Sequence, residues 1–400
     1  MPNHKRVKLA CYTANKSLKK EFFMIYSNFK GEKISSLGLG CMRFPKLEGS
    51  EEIDVQKVEE LVDFAIKNGI NYFDTAWGYH GGRSEPLMGE ILSKYPRDSF
   101  YLTSKFPGYD LSNMGKVEEI FEAQLKRCRV DYFDFYLFHS VTEENIEEYL
   151  NPKHNIYNYL VEQKKRGRIK HLGFSTHGSL GTIKRFLDAY STELEFCQLQ
   201  INWLDWKYQS AKEKTELVRS YGLSVFVMEP VRGGRLCKLA DSQNARLKAL
   251  DPTRTLPEWA FRFIQGLEGI TVTLSGMSDM TQLTENMKTF SEFRPLKAEE
   301  SKELALIADE IIASKNLPCT SCRYCTEKCP SGLDIPKLVE LFNETSSTGI
   351  TVTAEKTING DPKIGHPESC IACGACEQVC PQGIKISDMM HKFVKRLSED

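Results

Sequence analysis

At 400 residues the chain is too long for one small domain and long enough to bury a large core. Hydrophobic residues make up 41% and charged residues 27%, the balance of a soluble globular protein. The formal net charge of −1 supplies no field toward nucleic acid or acidic lipid, and no apolar run approaches the roughly 20 residues of a membrane helix, so neither is expected as a partner.

Residues 1–23 are basic (Lys5, Arg6, Lys8, Lys16, Lys19, Lys20) but have neither an apolar core nor a small-residue cleavage site. They read as a disordered arm rather than a secretory signal, with Met24 leading into the first strand.

From residue 35 to about 276, short β-rich runs alternate with longer helical patterns. The expected strands are Leu37–Met42, Ile70–Thr75, Ser99–Lys105, Phe133–His139, Lys170–Ser175, Phe196–Asn202, Leu223–Glu229 and Ile270–Ser275. Between the first two, Val55, Val58, Leu61, Val62, Ala65 and Ile66 recur at helical spacing until Gly69 stops the helix. Eight such βα units in about 250 residues predict a closed α/β barrel, the (β/α)8 TIM barrel, over residues 24–315. A doubly wound sheet is the other arrangement, but Gly38 and Gly40 lack the third glycine of its phosphate-binding fingerprint.

A helix over Ala298–Lys315 is expected next, and a small, mainly helical module occupies residues 316–400. Within it, Ile335, Leu338, Val339, Leu341 and Phe342 mark a helix with Pro336 in its first turn. Residues 346–369, rich in Ser, Thr and Gly, read as a loop. A last helix begins near Ser387 and turns Met390, Phe393, Val394 and Leu397 inward.

The chain has thirteen cysteines. Cys11, Cys41, Cys128, Cys197 and Cys237 are scattered singly and read as buried thiols. The other eight crowd into the module. A disulfide framework suits a short secreted chain, so the compartment is expected to be reducing and cytoplasmic and the clustered thiols metal ligands. Cys319, Cys322, Cys325 and Cys329 follow C-x2-C-x2-C-x3-C with Pro330 next, and Cys370, Cys373, Cys376 and Cys380 repeat it before Pro381. Three thiolates of such a run wrap one cubane while the fourth reaches across to the other. That pairs Cys319, Cys322 and Cys325 with Cys380, and Cys370, Cys373 and Cys376 with Cys329. Paired C-x2-C units also hold zinc, but two repeated four-cysteine runs with trailing prolines fit two 4Fe-4S clusters better. The module resembles bacterial-type two-cluster ferredoxins.

In a βα barrel the chemistry sits where strands end. Those ends carry Asp74, Lys105, His139, Ser175, Asn202, Glu229 and Ser275, and Tyr79 follows Asp74 in D-T-A-W-G-Y. Taken singly, each could be solvated loop chemistry, and His139 a satisfied core histidine. Together they supply what carbonyl reduction needs. Tyr79 can give a proton to the developing alkoxide, and a nearby Lys105 ammonium would lower its phenol from the ordinary value near 10. Asp74 would anchor Lys105, and His139 would orient the carbonyl oxygen.

Over roughly residues 33–290, F-D-T-A-W-G-Y, L-T-S-K, F-D-F-Y-L-F-H, Q-L-Q-I-N-W and S-G-M-S-D-M-T-Q-L-T-E-N resemble the aldo-keto reductases. The resemblance implies that Asp74, Tyr79, Lys105 and His139 are the catalytic tetrad and that the cofactor is NADP(H), with NAD(H) the alternative. It further implies that Ser175 and Gln198 hold the carboxamide with Asn202 nearby, and that Gly276, Ser278, Gln282, Glu285 and Asn286 line the adenosine side. Thr176 stands where asparagine is usual, and Gln282 where many members have an arginine for the 2′-phosphate. Arg235 in R-G-G-R is a substitute for that charge, the plainer reading being a solvated surface arginine. Trp77, Tyr109, Trp203 and Trp206 fall near the barrel mouth in sequence, as substrate-pocket or core residues.

The expected activity is nicotinamide-dependent reduction of a small-molecule carbonyl, or oxidation of an alcohol, with the clusters passing electrons to or from a one-electron redox partner protein. Two other readings remain. The chain could be an electron-transfer or redox-sensing protein whose barrel binds nicotinamide without carbonyl turnover, or the clusters could be purely structural.

Overall fold

The computed structural model of the chain describes residues 23–313, 316–348 and 351–398. The expected basic arm lies outside these residues except for Phe23, which is exposed, and Cys11 lies outside them too.

The strands are β1 (Tyr26–Phe29), β2 (Glu32–Ser35), β3 (Leu37–Gly40), β4 (Tyr72–Asp74), β5 (Tyr101–Phe106), β6 (Phe133–Val141), β7 (Ile169–Thr176), β8 (Phe196–Gln200), β9 (Ser224–Met228) and β10 (Ile270–Ser275). Strands β3 to β10 pair in parallel with their sequence neighbours, and β10 closes on β3. This is the expected TIM barrel. Its strands read as apolar runs because both faces are buried, as Phe133 through Phe138 show. The helix Val55–Lys67 starts on Asp54, whose side chain accepts from the Lys57 amide, and stops before Gly69, at φ 103°.

The antiparallel hairpin of β1 and β2 was not expected from the sequence. Lys30 and Gly31, both at positive φ, make its two-residue turn. It plugs the barrel floor: Phe29 packs edge-on against Phe196 and Phe226 and tilts against Phe135, rings that fill the barrel interior with Tyr72 and Leu137.

The module has its own core, with Leu333, Leu338, Val339, Ile358, Met390 and Phe393 at its centre. Residues 352–360, expected as loop, form a helix instead (Val352–Gly360), because Ala354 and Ile358, one turn apart, are buried against that core. The last helix, Ile386–Ser398, buries Ile386, Met389, Met390 and Phe393, while Val394 and Leu397 are only half-buried. The two cysteine loops repeat one pattern 51 positions apart, from Cys319 and Cys370 to Ile335 and Ile386, where the corresponding helices begin. Their backbones agree down to the left-handed residues Ser321 and Ala372, Arg323 and Gly374, and Gly332 and Gly383.

Module and barrel mouth are in contact. Arg43 donates to the carbonyls of Thr320 and Ser321 at 3.3 and 3.2 Å, and Gln382 donates to Gln200 at 3.0 Å. Gly233 sits at φ 64°, and a Cβ there would lie 1.7 Å from the Thr320 carbonyl oxygen, so the loop after β9 can accept the module only with glycine at this place.

Among the described residues no helix is long and apolar enough to cross a membrane.

Candidate active site

Strand exits at the module end of the barrel open into one cleft of about 470 Å³. Asp74, Tyr79, Lys105 and His139 all line it. Lys105 Nζ donates to Asp74 Oδ1 at 2.6 Å, to the Thr75 carbonyl at 2.8 Å and to Tyr79 Oη at 3.3 Å. The ring of His139 meets that of Tyr79 edge-on, with centroids 6.0 Å apart.

Burial decides the resting charges. It lowers His139 well below the ordinary imidazole value, with Lys105 and His177 adding to the effect, so the ring is neutral. Its Nδ1 is buried without a partner. Burial also pushes the Tyr79 phenol well up, reinforced by Tyr324 and Asp74. This corrects the expectation that Lys105 would lower the phenol: burial dominates at rest and holds the phenol up. Asp74 is likewise pushed up by burial while Lys105 pulls it down.

A buried network beneath Lys105 escaped the sequence reading. Glu85, on the helix Ser84–Leu92, accepts from Ser104 and Gln124 at 2.6 Å each, and Gln124 also donates to the Lys105 carbonyl at 3.0 Å. These bonds fix the strand that carries the lysine. The available signal was an acidic residue on the buried face of a helix.

Of the residues expected at the nucleotide, Ser175, Gln198, Gly276, Ser278, Gln282, Glu285 and Asn286 line the same cleft. Ser175 Oγ accepts from the Ser140 amide at 2.9 Å, and Gln198 Oε1 is buried without a partner. Gln282 is tied locally, accepting from the Ser278 amide and donating to Asp279. Asn286 donates to Ser275 at 3.2 Å.

Asn202 is not among the cleft-lining residues. It is fully buried and spends its amide on Asp205 and the Glu229 carbonyl, in a hub where Asp205 also receives Gln200 and Arg232. Thr176 likewise turns away, donating to the Val141 carbonyl. Arg235 is neither at the adenosine side nor a solvated surface arginine, because its guanidinium is half-buried and donates to the Leu317 carbonyl of the module. The guanidinium among the cleft-lining residues is that of Arg43, whose stem packs beside Gly276 and whose carbonyl accepts from Ser278. Its place just past the end of β3 was the missed signal.

Glu229, at φ 52° after β9, also lines the cleft, with Oε2 unpartnered. Burial raises its carboxyl to about 7 against the pull of Arg43.

Cys41, Cys128 and Cys197 are buried as expected, whereas Cys237 is partly exposed and lines the cleft. Of the four aromatic residues expected near the mouth, Tyr109 reaches the site, edge-on to His139 with centroids 5.0 Å apart. Trp77 lies under Arg127, Trp203 is buried in a separate core, and Trp206 packs on Phe263.

In the module, Cys319, Cys322, Cys325 and Cys380 line one small cavity and Cys329, Cys370, Cys373 and Cys376 line a second. In each set the four thiols surround a space, the arrangement a multinuclear cluster takes. Cys322 and its neighbour Tyr324 also line the barrel cleft, so the first cavity adjoins the tetrad. In the second, Cys373 is exposed.

The profile of the aldo/keto reductase family matches residues 36–309, and that of the 4Fe-4S dicluster domain matches residues 318–384. The chain is 26% identical over 301 residues to the uncharacterised oxidoreductase YqkF of Bacillus subtilis (strain 168), covering 68% of this chain and 92% of that protein. It is 31% identical over 216 residues to a probable aldo-keto reductase of Glycine max, covering 51% and 58%. The holo form of an aldo-keto reductase from Bacillus halodurans superposes on the barrel with a TM-score of 0.59 at 24% identity, covering 71% of this chain and 96% of that one.

Proposed function

The chain belongs to the aldo-keto reductase family and is an oxidoreductase with a 4Fe-4S dicluster domain; from that premise we propose that it reduces the carbonyl of a small molecule, or oxidises the matching alcohol, with a nicotinamide dinucleotide in the cleft. When bound, the nucleotide supplies or accepts hydride, and the clusters carry electrons singly to or from a partner protein.

The chain of contacts from Asp74 through Lys105 to Tyr79 carries the reading. Tyr79 Oη holds the proton destined for the carbonyl oxygen. As that proton leaves, charge grows on Oη, where Lys105 Nζ already points, so the phenolate is stabilised as it forms rather than at rest. Asp74 and the Thr75 carbonyl fix the ammonium. The neutral His139 can donate an N–H to the carbonyl oxygen and set its direction toward Tyr79.

The orphaned Gln198 Oε1 fits a carboxamide, because an unpaired buried acceptor costs about 1–3 kcal/mol and an incoming amide N–H would satisfy it. Ser175 borders the same wall, with Gly276, Ser278, Gln282, Glu285 and Asn286 toward the adenosine side. Both arginines donate to module carbonyls, Arg235 to that of Leu317 and Arg43 to those of Thr320 and Ser321; of the two, Arg43 lines the cleft, and NADP(H) is the nucleotide we propose, with NAD(H) the alternative. Cys319, Cys322, Cys325 and Cys380 would hold the cluster beside the cleft, and Cys329, Cys370, Cys373 and Cys376 the outer one. Residues 24–315 are then the catalytic barrel and 316–400 the electron-transfer module.

Replacing Tyr79 by Phe tests the proposal. Carbonyl turnover should fall by about 10²–10⁴-fold while nucleotide binding, followed by fluorescence titration, is retained. Unchanged turnover would remove Tyr79 from the mechanism.

A further inference from the structure

The two cysteine loops share a backbone, and among the side chains in which they differ one reaches out of the module. Where the first loop has Tyr324, between Cys322 and Cys325, the second has Ala375. The loop conformation therefore does not require a tyrosine. Tyr324 leaves the module and lines both the barrel cleft and a smaller cavity beside it, where its ring stacks on Tyr109 at 27° with centroids 6.0 Å apart. Gly78 makes room for this pair, since a Cβ there would lie 2.2 Å from Tyr109 Oη. Behind the two rings the smaller cavity, of about 50 Å³, continues between Gly78, Tyr109 and Ser140 of the barrel and Tyr324, Val379 and Pro381 of the module. Lys328, also on its wall, pairs with Asp110 across the domains at 3.7 Å.

We infer that the part of the cleft bordered by Tyr324, opening toward this small space, is a substrate subsite, that Tyr324 is a specificity-determining residue, and that the substrate carries a flat, conjugated substituent on its carbonyl. The inference rests on the reading that Tyr79 and His139 receive the carbonyl oxygen. With the oxygen there, the Tyr109 ring, edge-on to His139, is the next surface, and Tyr324 continues it. Stacked tyrosine faces favour a planar π system over an aliphatic group of equal bulk. The substituent then lies beside Cys322, a ligand of the inner cluster.

The test uses the full-length, cluster-loaded protein with NADPH or NADH, and benzaldehyde and cyclohexanecarbaldehyde as probes. Wild-type protein should prefer the aryl aldehyde. Tyr324→Ala should raise the KM for benzaldehyde about tenfold and leave that for cyclohexanecarbaldehyde within about twofold, while Tyr324→Phe, which keeps the ring, retains the preference. Without nucleotide, benzaldehyde should shift the electron paramagnetic resonance of one reduced cluster in the wild type but not in Tyr324→Ala. Tyr324 lies in a cluster loop, so Tyr109→Ala approaches the same wall from the barrel and should also lower the aryl preference at unchanged iron content. Equal losses for both aldehydes, or no loss in either variant, overturn the inference. If Tyr79→Phe abolishes both turnovers while Tyr324→Ala and Tyr109→Ala change neither, the subsite fails and the carbonyl chemistry stands. Turnover that survives Tyr79→Phe, or a wild type inactive on both aldehydes, removes the underlying reading as well.

Discussion

Lys105 and Asp74 meet at 2.6 Å where their side chains are only 1% and 4% exposed, so each is the other's principal electrostatic partner. Asp74→Asn would leave an ammonium in the barrel mouth with only neutral acceptors. The expected loss is about 3–5 kcal/mol of stability, the cost of breaking a buried pair from one side. Turnover should also fall by at least about 10²-fold, because the ammonium no longer meets Tyr79 in a fixed direction. Urea unfolding and steady-state kinetics measure the two effects, and a fully active, equally stable variant would contradict the geometry.

The cavities pair each run of three cysteines with the fourth cysteine of the other run. Cys380→Ser should therefore perturb the same cluster as Cys319→Ser, and Cys329→Ser the same as Cys370→Ser. Total iron should drop from about eight to about four atoms in each variant that loses one cluster. Paramagnetic resonance of the reduced variants distinguishes this from pairing within each run, where Cys380→Ser would match Cys370→Ser.

Docking of the module depends on a missing side chain at Gly233. Gly233→Ala adds a methyl 1.7 Å from the Thr320 carbonyl and places alanine at φ 64°. Backbone strain of this kind costs about 1–3 kcal/mol, so the Thr320 loop should shift away from the barrel. The resonance of the cluster held by Cys319 and Cys322 should change while the other is unaffected. Gly234→Ala is the control, since its Cβ would meet nothing within 4 Å although φ is also positive.

Acid should weaken the fold between pH 7 and pH 5. Burial lowers His80 to about 4 and His177 to about 4, and His80 Nε2 accepts from the Phe44 amide, a bond that needs the neutral ring. An unfolded imidazole titrates near 6.5. The folded pKa is thus depressed, and the stability present above about 6.5 is lost as pH falls toward 4. Glu229, raised to about 7, has the opposite sign: its contribution is present at low pH and fades as pH rises through 7, offsetting part of the histidine effect. Anaerobic urea midpoints should fall between pH 7 and pH 5, with a shallower slope by about one proton in His80→Gln. A midpoint independent of pH over this range would refute the neutral assignments.

The barrel was legible because its signals are local. All eight strands appear with ends shifted by two residues at most, since an apolar run that must be buried on both faces announces itself in a few residues. Asp74, Lys105 and His139 stand near strand ends with Tyr79 in the loop after Asp74, and a barrel brings such ends to one mouth. The hairpin of β1 and β2 was missed although Lys30-Gly31 marks a tight turn, because two four-residue strands carry little periodicity. The helix Val352–Gly360 was hidden by β-branched residues of poor helix propensity, overridden by burial of Ala354 and Ile358 against the module core.

By itself the sequence determined the barrel, the residues at its strand ends and the grouping of eight thiols, because each depends on spacing along a few turns of chain. Only the tertiary structure decided which arginine faces the cleft, that Asn202 belongs to a buried hub, that burial holds the Tyr79 phenol up, and that Tyr324 crosses from the module to the tetrad. Those outcomes depend on desolvation and on the fit between surfaces distant in sequence, as where the Thr320 carbonyl lies over Gly233, and no local pattern encodes how deeply a group is buried or what is packed against it.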